Sequence, residues 1–321
     1  MSIEETGQRR VLIEAEEDME GERIDKLLAV LLPEHSRSYL QKLIADGSVL
    51  VDEKVVKPSY KISFGENIEV ILPPAAQLSV QPQDIPLEIL YEDEDVLVIN
   101  KPKGMVVHPA PGHMTDTVVN AVLFHCKGQL SGINGVLRPG IVHRIDMDTT
   151  GSLIICKNDQ AHRSLAEQLA EHSLKRAYRA LVWGTFAEQE GTVDSPIGRD
   201  KKDRRKMAAT PDGKRAVTHY KVLKQFDKLA YIECRLETGR THQIRVHMTK
   251  IGHPLLGDEV YGRRNIKEAG LQNLPDGAMG QCLHAYELGF LHPRTQEWVE
   301  TTAPLPEYFE KLLADQEEKM K

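Results

Sequence analysis

Asp146 stands in His143-Arg-Ile-Asp-Met-Asp-Thr-Thr-Gly151, a polar run between two apolar segments, Gly140-Ile-Val-His-Arg-Ile-Asp and Ser152-Leu-Ile-Ile-Cys-Lys. Both segments read as buried strands, which places Asp146 where a strand end gives way to a turn. Loops on a rigid sheet often display reactive groups. A carboxylate there fits reaction chemistry, and it fits equally a turn in which it accepts from nearby amides. Asp148, directly before Thr149-Thr150-Gly151, suits the turn role better. A second cluster, Glu237-Thr-Gly-Arg-Thr-His-Gln-Ile-Arg-Val-His247, follows a strand and enters a helix. Arg240 and Arg245 fit phosphate binding near the helix start, pairing with a buried carboxylate, or exposed salt bridges. His242 and His247 are five apart, off the spacing of four that sets two zinc ligands on one helical face, so no metal is expected.

The elements that must position these groups are legible from periodicity. Val96-Leu-Val-Ile-Asn-Lys reads as a buried strand, Asp159 to His172 as a helix with Ala161, Leu165, Ala166 and Leu169 on one side, and Ala177-Tyr-Arg-Ala-Leu-Val-Trp and Leu229 to Leu236 as alternating strands. Strands with intermittent helices, lacking a regular strand-helix repeat, predict an α+β domain with a mixed sheet. Upstream, Ile24, Leu27, Leu28, Leu31 and Leu32 recur with helical spacing until Pro33. A second helix is predicted from about Ser36, with Ser38 and Gln41 spaced as a capping box, a buried stripe of Leu40, Leu43 and Ile44, and Gly47 as its stop. Ser48 to Val56 and Tyr60 to Leu72 read as short strands. Pro73-Pro-Ala-Ala and Gln81-Pro-Gln-Asp-Ile-Pro86 form a semi-extended connector. The expected organisation is therefore an acidic tail over 1–12, a small unit over 13–76, a linker over 77–87, a larger domain over 88–306 and a charged tail over 307–321.

At 321 residues and 40% apolar content, one large domain with a smaller one is the expected size class. The longest apolar runs, such as Ser152 to Cys156 and Leu27 to Leu32, fall far short of the ~20 residues of a membrane-spanning helix. With no basic region leading into an apolar stretch at the N-terminus, a cytoplasmic location is expected. The four cysteines are spaced too widely for a zinc ribbon or redox pair and read as reduced, mostly buried thiols. The net charge of -7 hides its distribution: residues 1–25 contribute -6 and 307–321 contribute -2, leaving the body at +1. The densest basic run, Arg199-Asp-Lys-Lys-Asp-Arg-Arg-Lys206, fits a solvated loop as well as an RNA contact.

Taken together and in order, the motifs are specific. Asn100-Lys-Pro-Lys-Gly-Met-Val-Val-His-Pro, His143 to Gly151, Arg176-Ala-Tyr-Arg-Ala-Leu-Val-Trp-Gly and Thr238 to His247 resemble the signatures of pseudouridine synthases of the RluA/RluD family. Gly257-Asp-Glu-Val-Tyr-Gly and Leu283-His-Ala-Tyr-Glu-Leu extend the likeness, which covers roughly residues 13–306. Residues Arg23-Ile-Asp-Lys-Leu-Leu, His35 to Ile44, Gly47 to Asp52 and Gly65 to Val70 resemble the α-L, S4-like RNA-binding module of a small-subunit ribosomal protein.

The resemblance implies a mixed, mostly antiparallel sheet of pseudouridine synthase type behind an S4-like RNA-binding domain. It also implies conversion of uridine in RNA to pseudouridine, with no atoms gained or lost and no cofactor. Asp146 matches the catalytic aspartate, Arg245 the basic residue beside it with Arg240 as fallback, and Tyr178 the tyrosine that packs on the target uracil. Arg144 matches a residue that fills the space left by a flipped base; Arg37 and Lys42 lie on the second predicted helix of the module, where they fit an RNA contact or a solvated polar face, and the ordered match favours RNA. Ile145 and Met147 occupy variable positions. The RNA-binding module and the Asp-Thr-Thr-Gly ending favour the branch acting on large-subunit (23S) ribosomal RNA, in a stem-loop with accessible uridines. A monomer is the default expectation. A non-catalytic ribosome-assembly factor that grips rRNA, and a hydrolase built from Asp146, Asp148 and the histidines, are the competing readings.

Overall fold

The computed structural model describes residues 9–33, 37–72, 80–110, 112–133, 138–203, 206–262 and 280–321. The chain divides into two compact units, 1–78 and 79–321, within the proline-punctuated connector.

In the first unit, helices α1 (Ile24–Leu31) and α2 (Arg37–Ala45) share a core with four antiparallel strands, β1 (Arg9–Glu14), β2 (Val49–Val51), β3 (Lys54–Val55) and β4 (Asn67–Leu72), ordered β1-β4-β2-β3. The predicted stripes are the ones buried: Ile24, Leu27, Leu28 and Leu32 meet Leu40, Leu43, Ile44, Val49 and Val70. Gly47, at φ 78°, ends α2 in a Schellman turn, with Ser48 N–H donating to Leu43 O at 2.9 Å and Gly47 N–H to Ile44 O at 3.2 Å. Two expectations change. Ser38 is the second residue of α2, past the position of an N-cap, and Gln41 sends its amide to Asp25; Ser36 lies outside the described residues. Residues 9–12, assigned to a tail by their charge, belong to β1, where Arg10 pairs with Glu69 across the ladder at 3.2 Å.

The second unit is built on a nine-stranded sheet. Its strands are β5 (Glu88–Glu92), β6 (Val96–Lys101), β7 (Thr150–Cys156), β8 (Lys175–Trp183), β9 (Glu190–Asp194), β12 (Val217–Gln225), β13 (Leu229–Leu236), β14 (Leu283–Leu291) and β15 (Trp298–Thr302). The order is β5-β6-β7-β14-β8-β13-β12-β9, with β15 on β14, while β10 (Ile197–Arg199) and β11 (Met207–Ala209) form a separate ribbon. Only the β7–β14 contact is parallel, so the sheet is mixed and mostly antiparallel, as expected. Gly151 makes that junction possible: at φ 104°, an added Cβ would stand 2.3 Å from Ala285 O.

Helices α3 (Val118–His125), α4 (Asp159–Ala170), α5 (Gln243–Lys250) and α6 (Glu307–Glu318) complete the unit. Thr117 and Asn120 form a capping box on α3, and Asn158 caps α4 by accepting from Ala161 N–H. The charged segment 307–321 is not a bare tail. Tyr308, Phe309 and Leu312 bury one face of α6 with Trp183, Leu229 and Leu256. All four cysteines are buried and unpaired. Among the described residues no helix is long and apolar enough to cross a membrane.

Candidate active site

The segment carrying Asp146 is not the strand its apolar residues suggest. Residues 140–146 run beside β7 but make a single ladder bridge, Ile141 to Ile155. The ladder stops because the His143 ring, not a backbone carbonyl, accepts the Ile154 N–H at 3.2 Å. Burial and the neighbouring Arg176 charge push the His143 pKa down to about 3, so the ring is a neutral acceptor. Freed from the sheet, the chain turns at Met147 and Asp148, and Thr149 N–H donates to Asp146 O at 3.1 Å.

A second anchor holds this turn from below. The fully buried Lys101, last residue of β6, donates from Nζ to the carbonyls of Pro102, Met105 and Met147 at 2.7, 2.8 and 2.8 Å. Three carbonyls use the three donors of an ammonium, although burial brings its pKa down to about 7. Lys101 thus fastens the turn after Asp146 to the loop after β6.

Arg245 arrives from the other side on α5. The helix start is pinned by Gln243, whose buried amide accepts from Thr238 Oγ1 and Arg240 N–H and donates to Val217 O and Thr218 Oγ1. His242, at φ 56°, makes the left-handed entry to the helix. Arg245 is then almost buried, and its guanidinium is divided between two carboxylates. Nε and Nη2 fork onto Asp258 at 2.7 and 3.0 Å, while Nη1 donates to Asp146 Oδ2 at 2.9 Å. Asp258 is fully buried and also accepts from the Val260 and Tyr261 N–H groups. Burial opposes the charge on Arg245, but Asp258 and Asp146 override it and hold its pKa above the ordinary arginine value.

Asp146 is 18% exposed, and its Oδ1 makes no hydrogen bond among the described residues; His242 Nε2 stands 3.8 Å from it. Desolvation first, with the Arg245 and Arg144 charges adding to it against Asp146 and Asp258, pushes His242 below its usual pKa. His242 is therefore mostly neutral near pH 7, with its Nδ1 hydrogen-bonded to Tyr261 Oη at 2.8 Å.

Asp146, Tyr178 and Arg245 line one cleft of about 360 Å³, together with Ile145, Leu236, Leu283 and the exposed Arg144 and Arg240. Tyr178, on β8, is nearly buried, and burial raises its pKa, with Arg176 opposing and Asp146 reinforcing the shift. Phenol and carboxylate thus share a cleft whose apolar wall is made by Ile145, Leu236, Ile244 and Leu283.

The remaining candidates separate. Arg245 is a carboxylate partner and not a phosphate binder. Arg240 is exposed at the cleft rim, with Nε donating to Arg215 O at 3.0 Å. Arg37 and Lys42 lie on α2 of the first unit; Lys42 is exposed, and Arg37 forks onto Asp25 at 2.7 and 3.2 Å. His247 is fully buried between Thr218 Oγ1 and Ser195 O, a structural role. Asp148 does not line the cleft, which removes the paired-carboxylate geometry of the hydrolase reading. In the basic run 199–206, Lys201 pairs with Asp212 and Lys206 with the Val260 carbonyl, while Arg204 and Arg205 lie outside the described residues. Sequence reasoning passed over Asp258, Lys101 and Gln243. Each lies in a motif already quoted, but their roles depend on contacts made across the fold.

Residues 95–250 match the family model described as RNA pseudouridylate synthase, and residues 22–68 match the S4 domain. The chain is 52% identical over 301 residues to an uncharacterized RNA pseudouridine synthase of Bacillus subtilis (strain 168), covering 94% of this chain and 96% of that relative. It is 50% identical over 296 residues to the ribosomal large subunit pseudouridine synthase D of Zymomonas mobilis, covering 91% and 92%. Among solved structures, human RNA pseudouridylate synthase domain containing 1 has a similar fold, with a TM-score of 0.55 and 24% identity over 73% of this chain and 96% of that one. Identity at this level over nearly the whole length of both proteins, on a mixed sheet behind an S4 domain, makes the chain a member of the RNA pseudouridine synthase family, enzymes that isomerise uridine in RNA.

Proposed function

We propose that the chain isomerises uridines of large-subunit ribosomal RNA, with Asp146 as the reacting carboxylate, Arg245 as the cation that orients it, and Tyr178 as the surface against which the uracil turns. The N1–C1′ bond breaks, the detached uracil rotates, C5 bonds to C1′, and the proton displaced from C5 leaves while N1 gains one. The sum is an isomerisation, which needs no redox partner. The observation that carries this reading is the uneven state of Asp146, a residue that lines the cleft: Oδ2 is held by Arg245 while Oδ1 makes no hydrogen bond among the described residues.

A stacked uridine cannot present its sugar to a cleft this narrow, so the target is flipped out, at a cost of a few kcal/mol that is smallest in loops and bulges. Arg144, exposed at the rim, fills the gap left in the stack. Tyr178 holds the base, a stacking contact of about 1–3 kcal/mol. The relatives named for the ribosomal large subunit support the substrate class, and a cytoplasmic location fits action on ribosomal RNA.

Asp146→Asn is the central test. The variant binds an rRNA stem-loop within a few-fold of the parent and releases no tritium from uridine labelled at C5. Release at the parental rate overturns the assignment of Asp146. Attack on C1′ and removal of a C2′ proton are separated by deuterium at C2′, because only proton removal gives a primary isotope effect. Mapping pseudouridine across total RNA with and without the gene identifies the target; no change in large-subunit rRNA would refute the substrate class.

A further inference from the structure

Beside the reaction cleft lies a second and larger cavity, of about 1160 Å³, which shares Arg144, Tyr178 and Arg240 with it. His143, His172 and Arg176 also line this cavity, and among the described residues no carboxylate does. Arg176, on β8 two residues before Tyr178, is 8% exposed. Among the described residues its Nε is buried without a hydrogen-bond partner, and its guanidinium makes one long contact of 3.4 Å from Nη2 to Glu237 O. The Glu237 carboxylate is engaged elsewhere, with Arg215 and His219. Desolvation lowers the Arg176 pKa, opposed only by Tyr178. His143, kept neutral, adds no counter-charge.

A buried guanidinium without a counter-ion is destabilising, and an apolar residue of similar volume would be more stable at the site. The cost is offset when a ligand brings the missing negative charge. Gly239 keeps the guanidinium open on one side, since a Cβ there would stand 2.7 Å from Arg176 Nη1. We propose that this cavity is an anion socket in which Arg176, supported by Arg144 and Arg240, binds a backbone phosphate of the RNA next to the flipped uridine. The inference rests on the RNA-isomerase reading and adds to it a fixed phosphate contact. A phosphodiester fits because each nucleotide carries one charge at a fixed tether from its base, and Tyr178 borders both cavities. Binding there would set the depth to which the target nucleotide enters the cleft.

The test uses the full chain carrying Asp146→Asn, so that binding is measured without turnover. Adding Arg176→Met weakens affinity for an rRNA stem-loop roughly tenfold, the scale of a lost charge-assisted hydrogen bond. It also flattens the plot of log affinity against log salt by about 0.7–0.9, one phosphate contact. The melting temperature of the free protein stays level or rises, because an uncompensated charge has been removed. Arg176→Lys retains the slope. Gly239→Ala, which keeps the charge but crowds the guanidinium, weakens binding as well, and it decides the matter if Arg176→Met does not fold. An unchanged salt slope, or a fall in melting temperature with RNA affinity intact, overturns the proposal and makes Arg176 a structural residue. Inorganic phosphate is the second probe: it raises the melting temperature of the parent but not of Arg176→Met. Stabilisation by phosphate together with an unchanged RNA slope would mean a socket for free phosphate and overturn the RNA assignment. Should the parent bind no RNA at all, the isomerase reading fails separately, and the phosphate arm alone decides whether the socket exists.

Discussion

Asp25 in the first unit and Asp146 in the second are both carboxylates held by arginine, but their hydrogen bonding is completed to different degrees. Asp25 is fully buried and accepts from Arg23, Arg37 and Gln41, with contacts of 2.7–3.3 Å on both oxygens. Asp146, which lines the cleft, has one guanidinium hydrogen bond on one oxygen and none on the other among the described residues. In the first case the arginines serve the carboxylate, and with side chains still 42% and 47% exposed they are fixed in place at the surface. In the second the geometry is supplied from behind, because Asp258 orients Arg245 and leaves Asp146 free to meet something else. A saturated carboxylate organises structure; a half-satisfied one is available for chemistry.

The sharpest way to break this comparison is to neutralise each acid in turn. Asp146→Asn lowers isomerisation by at least about 10⁴-fold, as loss of a reacting group does, and leaves melting almost unchanged because the new amide still offers an oxygen to Arg245, whose fork onto Asp258 is untouched. Asp25→Asn does the reverse at saturating RNA, with turnover near parental. If both variants lost stability and activity together, the distinction between the sites would fail.

The next effect separates Arg245 from its charge. Arg245→Lys keeps a cation but cannot fork onto Asp258 while reaching Asp146. Single-turnover rates fall by about 10²-fold, the scale for a misplaced reacting group, with RNA affinity changed little. Asp258→Asn gives a smaller loss of the same kind, read in kcat rather than KM, because Asp258 acts only through the guanidinium. A loss confined to KM in either variant would mean that Arg245 touches RNA directly and does not orient Asp146.

How much of this was legible follows from where each group's partners lie in sequence. Leu229–Leu236, α4 and the buried stripes of α1 and α2 declare themselves because their periodicity is local. The pairing of Asp146 with Arg245, 99 residues apart, has no local signature and came only from the ordered family motifs. Residues 140–146 look like a strand, because Ile141, Val142 and Ile145 are apolar. Yet the hydrogen bond that would continue the ladder goes to the His143 ring, and no propensity scale registers that exchange. The two charged termini misled in the same way. Net charge hid the alternation of β1 and the buried face of α6, since charge counts ignore which side of an element each residue occupies. Asp258 was passed over because a buried acid in a turn motif differs from an exposed one only through its distant arginine.

The smallest effect tests the saturated side of the comparison. Asp25→Asn leaves the guanidiniums of Arg23 and Arg37 without their acceptor and costs about 1–2 kcal/mol, below the range for breaking a fully buried pair because both arginines remain half exposed. The same contact predicts a pH dependence. Hydrogen bonding from Arg23, opposed by burial and reinforced by Arg37 and Gln41, holds the Asp25 carboxyl well below the usual carboxylate range. A depressed folded-state pKa means that the unfolded chain binds the proton first. The contribution is therefore complete above the unfolded value of about 4 and is lost as pH falls below it. Hydrogen exchange of the α1 and β4 amides in the full chain should be flat from neutrality down to about pH 4, after allowance for intrinsic exchange, and then accelerate. In Asp25→Asn protection is lower throughout and that acid limb is reduced. The Asp146 variant should leave exchange in α1 and β4 untouched at every pH, since its carboxylate carries little of the fold; an altered limb there would show that both acids are structural.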